Sequence, residues 1–193
     1  MSSTVDLNEF LNLDSLTTLS DQEKMDIFKN KAKMLGFSTK EIGVCSTRQK
    51  NNDIDTLDFK KEKNETIIGI YFFYISSFNK VVGKKQWDNF KYPQDMQHIK
   101  VSPWNKDDTA SENDILYIGQ RHEDLISRLR DHTVRSNDQT QSLKLYRQEC
   151  PNFEYRMTLF YQTASKKQKM RNKVLCFMLE AIAKSLFSTK IGK

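Results

Sequence analysis

The sequence has no run of 18 or more apolar residues, so it contains no segment that reads as a membrane-spanning helix. Its first residues lack the basic and apolar regions of a secretory signal peptide. The three cysteines, at positions 45, 150 and 176, are far apart and form no Cys-x-x-Cys pair, a pattern that favours reduced thiols over a zinc site. From these absences we expect a cytoplasmic protein with no membrane partner.

Acidic residues are scarce in the larger, C-terminal part of the chain. Residues 1–66 contain 10 Lys and Arg against 12 Asp and Glu, whereas residues 67–193 contain 21 against 13. A positive field of this kind attracts polyanions, and we expect double-stranded DNA as the partner. The alternative is a basic surface that only keeps the protein soluble.

Residues 1–65 are predicted to form a helical extension and a polar linker in front of the main domain. Apolar residues at positions 25, 28, 32 and 35 recur at helical spacing, Ser20 and Glu23 stand in capping-box register, and Gly36 follows as a stop signal. We expect helices over most of residues 6–45, with a second short helix from residue 38 onward. Two helices around Gly36 leave a DNA-binding helix-turn-helix open beside ordinary helix packing.

Residues 66–193 are predicted to form the main domain, which begins with a strand at 66–75. This stretch is nearly continuous in β-branched and aromatic residues. Because side chains alternate along a strand, both of its faces would be apolar, and we expect the strand to lie in the centre of a sheet.

A long insertion at residues 76–113 mixes lysines with large aromatic residues. Such a mixture can stack on bases and follow a phosphate backbone. Lys84, Lys85 and Trp87 are the candidate DNA contacts within it. The alternative is that the aromatic residues form a small satellite core that holds the insertion in place.

The next strand is predicted to lead into a short charged helix. Residues 115–118 favour a strand, Gly119 suits the positive φ of a tight turn, and the acidic residues 123 and 124 suit a first helical turn. Arg128 and His132 are four residues apart on the predicted helix, so they would share one face of it.

The C-terminal part is predicted to contain a third strand at residues 153–161 and an apolar helix at 174–187. Glu180 is the only acidic residue of that helix. An ion pair with Lys184, four residues later, is the ordinary explanation for such a carboxylate. The alternative is that Glu180 is a functional residue.

Five features, taken in order along the chain, together resemble the GIY-YIG nuclease family. They are Gly69-Ile-Tyr71, Tyr117-Ile-Gly119, Arg128, His132 and Glu180. The resemblance covers residues 66–187 and implies an α+β fold, in which a small three-stranded antiparallel or mixed sheet is flanked by helices. It also implies a metal-dependent nuclease that cleaves DNA phosphodiester bonds.

The resemblance implies roles for the two tyrosines. Tyr71 would be the general base, and Tyr117 would position the attacking water or the phosphate. A free phenol has a pKa of about 10, so the base role requires a lowered pKa. We expect the metal or a basic neighbour, such as His132 or Lys84, to lower it.

Phosphodiester chemistry indicates roles for Arg128 and Glu180. The guanidinium of Arg128 is planar and permanently cationic, which suits the non-bridging oxygens of a phosphate. The carboxylate of Glu180, with waters and phosphate oxygens, is sufficient to hold one Mg²⁺ ion, for which Mn²⁺ can substitute. Carboxylates do not cluster around these motifs, so we predict one metal ion rather than two.

The sequence departs from the family pattern in three places. The separation of Tyr71 from Tyr117 is longer than is usual, with 45 residues between them, and residues 181–193 lack the asparagine that often follows the metal glutamate. Larger residues than usual, Gln120 and Arg121, follow the second tripeptide. Further candidate phosphate contacts are the basic residues Arg121, Lys166 and Lys167.

The leading functional prediction is a site-specific DNA endonuclease, a type II restriction enzyme. Cutting both strands with one active site per chain favours a homodimer. The alternatives are a less specific nuclease of a phage, mobile element or defence system, and a catalytically silent DNA-binding protein that keeps the fold.

Overall fold

Three helices and four strands make up the part of the chain that the computed structural model describes, which is residues 18–46, 59–75, 115–133, 143 and 154–189. In chain order the elements are α1 (Asp21–Met34), β1 (Ser38–Ser46), β2 (Glu65–Ile75), β3 (Ile115–Arg121), α2 (Leu125–Thr133), β4 (Glu154–Ser165), a 3-10 turn (Lys166–Gln168) and α3 (Lys169–Leu186). Over these ranges, none of the helices has the length and apolar character needed to cross a bilayer.

Helix α1 begins and ends where the sequence predicts. The backbone N–H of Glu23 donates to the Ser20 hydroxyl at 3.3 Å, and the N–H of Ser20 donates back to the Glu23 carboxylate at 2.8 Å. This reciprocal pair satisfies two N–H groups that a helix start leaves without partners. Gly36 ends the helical segment with a φ of 83°, a conformation that glycine adopts at little cost.

The second short helix predicted from residue 38 onward is wrong, because residues 38–46 form strand β1. This strand pairs antiparallel with β4, with Ser38 opposite Tyr161 and Ile42 opposite Met157. Its partner is more than 100 residues away in sequence, so no local pattern could reveal the pairing. The helix-turn-helix alternative fails with it, since a strand and not a helix follows Gly36.

Within the residues that the structure describes, the sheet has four strands in the order β1-β4-β2-β3, and each neighbouring pair is antiparallel. The predicted three-stranded sheet is therefore wrong in its strand count, whereas the α+β class is confirmed. The central position of β2 is also confirmed, since this strand pairs with β4 on one side and β3 on the other. Strand β3 forms one edge of the sheet and β1 forms the other.

Helices α1 and α3 cover one face of the sheet and close an aromatic core. Phe28 of α1 lies at its centre and has no solvent exposure. Its ring contacts those of Phe72 at 5.2 Å and Phe160 at 4.8 Å between centroids, both nearly edge to face. Phe187, just after α3, closes the cluster against the ring of Phe72 at 5.7 Å.

Helix α2 packs near the opposite face of the sheet, where the predicted turn and helix start need correction. Strand β3 continues through Gly119 to Arg121, and Gly36 is the only glycine with positive φ in the described ranges. Helix α2 starts at Leu125, so residues 123 and 124 precede its first turn rather than lie in it. Asp124 adopts a φ of 48°, and its N–H donates to the Thr66 hydroxyl at 2.9 Å.

Candidate active site

Tyr71 is the residue around which the other predicted site residues gather. Side chains alternate along β2, so Tyr71 and Phe73 point away from the core face on which Phe72 lies. The Tyr71 side chain is 1% exposed, and its ring centroid lies 5.8 Å from that of Phe73 and 5.2 Å from that of His132. A phenol is thus buried in an aromatic surrounding, where its hydroxyl needs hydrogen-bond partners.

Gly119 provides the space for this phenol. It lies opposite Tyr71 in the β2–β3 pairing. A Cβ at position 119 would lie 2.5 Å from the Tyr71 hydroxyl oxygen and 2.6 Å from the ring of Tyr117. The sequence predicts a turn with positive φ at Gly119, whereas in the structure this residue matters because it has no side chain.

Gly69 has a different steric role, in the pairing of β2 with β4. A Cβ at this position would overlap the backbone carbonyl of Phe160 on the neighbouring strand β4. The glycine therefore allows β2 and β4 to pair closely at this position, where Gly69 lies opposite Tyr161. The first tripeptide thus combines a residue required by the sheet with the phenol of the site.

His132 is oriented by two hydrogen bonds. The backbone N–H of Leu143 donates to the Nδ1 atom of the imidazole at 2.9 Å. Because an N–H can only donate, Nδ1 must present its lone pair, and the proton of the neutral ring is on Nε2. The Nε2–H group then donates to the Tyr71 hydroxyl oxygen, 2.8 Å away.

Arg128 provides a second hydrogen bond to the same oxygen. Its guanidinium lies half-buried on α2, four residues before His132, and donates to the Tyr71 hydroxyl. With Arg128 and His132 both donating, the Tyr71 oxygen has used its two acceptor positions.

The Tyr71 phenol is held in its neutral form. Burial raises the pKa of Tyr71 well above its ordinary value, and the Tyr117 phenol and the Glu180 carboxylate raise it further. Arg128 lowers this pKa, but by less than burial raises it. The lowered pKa that a general base requires is thus not provided by the described residues alone, although the expected neighbour His132 is in contact.

Tyr117 lies on β3 beside Tyr71 and is less buried than it. The two ring centroids are 6.1 Å apart, and the centroid of Tyr117 is 5.4 Å from that of His132. Both tyrosines, His132 and Arg128 therefore come together, as the sequence predicts, although 45 residues separate the two tyrosines in the chain.

Glu180 approaches the group from helix α3. Its carboxylate is close enough to Tyr71 for its charge to raise the pKa of the phenol, and its side chain is 17% exposed. The Lys184 ammonium lies 3.0 Å from one carboxylate oxygen, so the ordinary ion pair considered from the sequence is present. This ion pair is compatible with a functional role for Glu180, because a metal ion could replace the Lys184 ammonium as the cation beside the carboxylate.

A single Mg²⁺ ion fits these residues only with few protein ligands. Across the ranges that the structure describes, no group of three or more His, Cys, Asp and Glu residues could together hold a metal. Mg²⁺ commonly keeps several waters and takes one or two carboxylates together with substrate oxygens. Glu180, which is 17% exposed and whose charge acts on Tyr71, is the carboxylate that could meet that requirement.

The predicted DNA contacts divide into three groups. Lys84, Lys85 and Trp87 lie outside the described residues. Arg121 and Lys166 donate to backbone carbonyls, with Nε of Arg121 2.9 Å from the oxygen of Glu123 and Nζ of Lys166 2.9 Å from that of Lys63. Lys167 is exposed just after β4.

One contributor to the site could not be found from the sequence. Leu143 acts through its backbone N–H, which sets the tautomer of His132, and a backbone donor leaves no mark on residue type. Gly119 could be singled out from the sequence, because it ends the second tripeptide. The reason that it must be glycine, which is the closeness of the Tyr71 side chain, is visible only in the structure.

Comparison with models of known protein families, with curated proteins and with solved structures found no match for this chain. The function is therefore inferred from the geometry and chemistry of the residues around Tyr71.

Proposed function

We propose that the protein is a magnesium-dependent DNA endonuclease of the GIY-YIG type, and that it cleaves at specific sites as a type II restriction enzyme does. The observation that supports this most directly is the convergence on the Tyr71 hydroxyl. Donors from His132 and Arg128 meet there, beside Tyr117 and within the electrostatic reach of Glu180. These residues come from β2, β3, α2 and α3, so packing alone does not account for their polar atoms meeting.

The substrate phosphate would bind between Arg128 and Tyr117. In hydrolysis, a water oxygen attacks phosphorus and the proton of that water passes to solvent, the bond to the leaving oxygen breaks and that oxygen takes up a proton from solvent, and negative charge increases on the non-bridging oxygens on the way. A fixed guanidinium stabilises that charge, because it is already in place and partly removed from bulk water. The hydrogen bond from Arg128 to Tyr71 keeps the guanidinium oriented toward the phenols.

Tyr71 would orient the attacking water. In this role the phenol, which accepts from His132 and Arg128, would donate its own proton to the oxygen of the water. Because its pKa is raised, the phenol stays protonated at neutral pH until a further cation stabilises the phenolate. His132 holds the ring in place, since its Nε2 already carries a proton and acts as a donor.

Glu180 would hold the metal ion through its carboxylate, together with water and phosphate oxygens. A bound Mg²⁺ ion would supply a Lewis-acid charge next to the leaving oxygen. In this proposal Lys184 gives up its ion pair with Glu180 when the metal binds, a small loss because such pairs on helices are weak.

The proposal is tested by Mg²⁺-dependent cleavage of plasmid and phage DNA. Arg128→Ala and Glu180→Gln should each abolish detectable cutting, since one removes the phosphate clamp and the other the metal ligand. Glu41→Gln is the matched control, because Glu41 also pairs with a lysine, at 3.6 Å from Lys29, but on the distant edge strand β1. Equal activity in the wild type and the two site variants would overturn the site.

The products of the same digestion separate the functional alternatives. Discrete fragments support a site-specific enzyme, and a smear supports a less specific nuclease. DNA binding without cutting in any divalent metal supports a catalytically silent binding protein. Light scattering of the wild type tests the proposed homodimer in the same preparation.

The pH dependence of cleavage tests the base role of Tyr71. If the phenol must lose its proton, the rate should rise with pH across the neutral and mildly alkaline range, because the raised pKa leaves little phenolate there. A rate that levels off near neutral pH would indicate that Tyr71 acts as a neutral donor and that another group activates the water.

A further inference from the structure

One flank of helix α3 carries a line of lysines beside Glu180. Lys169, Lys173, Glu180 and Lys184 follow one another at intervals of four, seven and four residues, so they fall within an arc of about 60° on the helix surface. The side chains of Lys169 and Lys184 are 73% and 41% exposed, and Lys173 is exposed as well.

Basic residues outnumber acidic ones on this flank in the part of the chain that the structure describes. Between Lys169 and Leu186, Glu180 is the one acid against four basic residues. Glu123 approaches from outside the helix, with an oxygen 3.1 Å from the Lys169 ammonium. That pair is exposed, and exposed pairs are weak enough for a phosphate to replace Glu123 as the partner of Lys169.

Helix stability explains Lys184, which lies in the last turn of α3, but not the basic residues at the start of the helix. The start of α3 has no acidic residue in its first turn and no side-chain cap, and it follows directly on Lys166 and Lys167. Positive charge at a helix N-terminus is unfavourable, because the helix dipole is positive there. The contact of Lys173 with the Phe177 ring, at 5.7 Å, and the Lys184–Glu180 pair are local and add little.

The length of the line suits a nucleic-acid backbone. From Lys169 to Lys184 the helix rises about 22 Å, at about 1.5 Å for each residue. Phosphates of one strand of a DNA duplex rise about 3.4 Å each along its axis and lie further apart along the winding strand, so a line of about 22 Å reaches several of them. Glu180 lies within the line, which places the proposed cleavage site between its lysines.

We propose that the phosphate backbone of double-stranded DNA lies along this flank of α3, with Lys169, Lys173 and Lys184 neutralising phosphates on both sides of the one that is cut. The inference rests on the proposed nuclease function and adds the path of the substrate to it. Lys169 and Lys173 should contact DNA also when no metal ion is bound, because the attraction between an ammonium and a phosphate does not require the metal.

The salt dependence of DNA binding tests this path. Affinity for a short labelled duplex is measured by fluorescence anisotropy in EDTA over a range of salt concentrations. Each lost phosphate contact should reduce the slope of log affinity against log salt by about 0.9. We therefore expect the Lys169→Gln/Lys173→Gln double variant to bind more weakly, with a slope shallower by nearly two.

Two further variants make the test specific. Lys29→Gln is the matched control, because Lys29 is a partly exposed helix lysine paired with Glu41 on the edge strand β1 and not on the flank of α3, and its slope should equal that of the wild type. Glu123→Gln should change binding in the opposite direction and strengthen it, because it frees Lys169 and removes a negative charge. Lys184 is left intact, since it also pairs with Glu180.

The outcomes separate the path from the function. If the wild type binds and cuts DNA while the double variant has the wild-type slope, the path along α3 is wrong and the nuclease proposal remains. If the double variant binds DNA as tightly as Lys29→Gln does, the path along α3 is likewise wrong. If the wild type neither binds nor cuts DNA, the proposed function fails, and the inference fails with it.

Discussion

The two faces of strand β2 carry similar side chains but use them differently. On the face under α1 and α3, Phe72 packs edge to face against Phe28 and Phe160, and its ring has no polar atom. On the other face, the ring of Tyr71 packs equally well, but its hydroxyl reaches His132 and Arg128. The two rings differ by one oxygen atom, and the hydrogen bonds that the Tyr71 oxygen accepts from His132 and Arg128 distinguish the candidate site from the core.

The largest effect should come from a change that acts on the sheet beneath both faces. Gly69→Ala would force a methyl group into the Phe160 carbonyl, which cannot move unless the β2–β4 pairing opens. We expect loss of soluble, folded protein, measured by expression yield and circular dichroism.

Gly119→Ala is the matched variant on the site face. Its methyl group would meet the side chains of Tyr71 and Tyr117, which can shift while the backbone stays paired. Folded protein should be retained and cleavage lost. Equal stability of the two variants would contradict the distinction between a backbone clash and a side-chain clash.

The core face is tested next by Phe28→Ala. Removing a fully buried phenyl ring leaves a cavity among Phe72, Phe160 and Phe187, and it should lower the free energy of unfolding by about 3–5 kcal/mol. The measurement is chemical denaturation. At a low temperature, where the variant stays folded, its cleavage rate should equal that of the wild type. A large loss of cleavage under those conditions would show that the two faces of β2 are coupled.

The site face is tested by Tyr71→Phe, which keeps the ring and removes the oxygen. Burying the donors of His132 and Arg128 without an acceptor should lower the free energy of unfolding by about 1–3 kcal/mol. Cleavage should fall by about 100-fold or more, because the water loses its orienting group. Phe73→Leu, next along the same face, is the control, and its effect on cleavage should be much smaller.

The smallest effect expected is an alkaline loss of stability. Burial raises the pKa of the Cys176 thiol to about 12 and that of the Tyr74 phenol to about 12, and it raises that of Tyr71 further. Because the folded pKa values of these groups are raised, their contribution to stability is fully present below the pKa values of the unfolded chain. As pH rises above the unfolded values, the unfolded chain releases protons that the folded protein retains, and the free energy of unfolding falls.

Cys176 should dominate the first part of this loss, since an unfolded thiol titrates at about 8.5. We expect the free energy of unfolding to fall by about 1 kcal/mol over the first pH unit above that value. Denaturation series at several pH values measure the slope, and Cys176→Ala should flatten it. A wild-type slope of zero would show that the thiol is not held protonated by the fold.

The sequence predicted the elements whose signals are local. Helix α1 carries its own cap and stop in Ser20, Glu23 and Gly36, and β2 carries a continuous β-favouring run. Arg128 and His132 were correctly placed on one helix by their spacing. Strand β1 was mispredicted, because its residues are ambiguous by themselves and the distant strand β4 decided their conformation through backbone pairing.

By itself the sequence determined which chemical groups the chain can bring to a site: two phenols, an imidazole, a guanidinium and a carboxylate on elements of recognisable type. Only the tertiary structure decided that Tyr71 accepts from both His132 and Arg128, that Leu143 sets the imidazole tautomer, and that burial holds the phenol neutral. The reason is physical. Periodicity and capping depend on neighbours within a few residues, whereas hydrogen-bond direction and desolvation depend on atoms that folding brings together from distant parts of the chain.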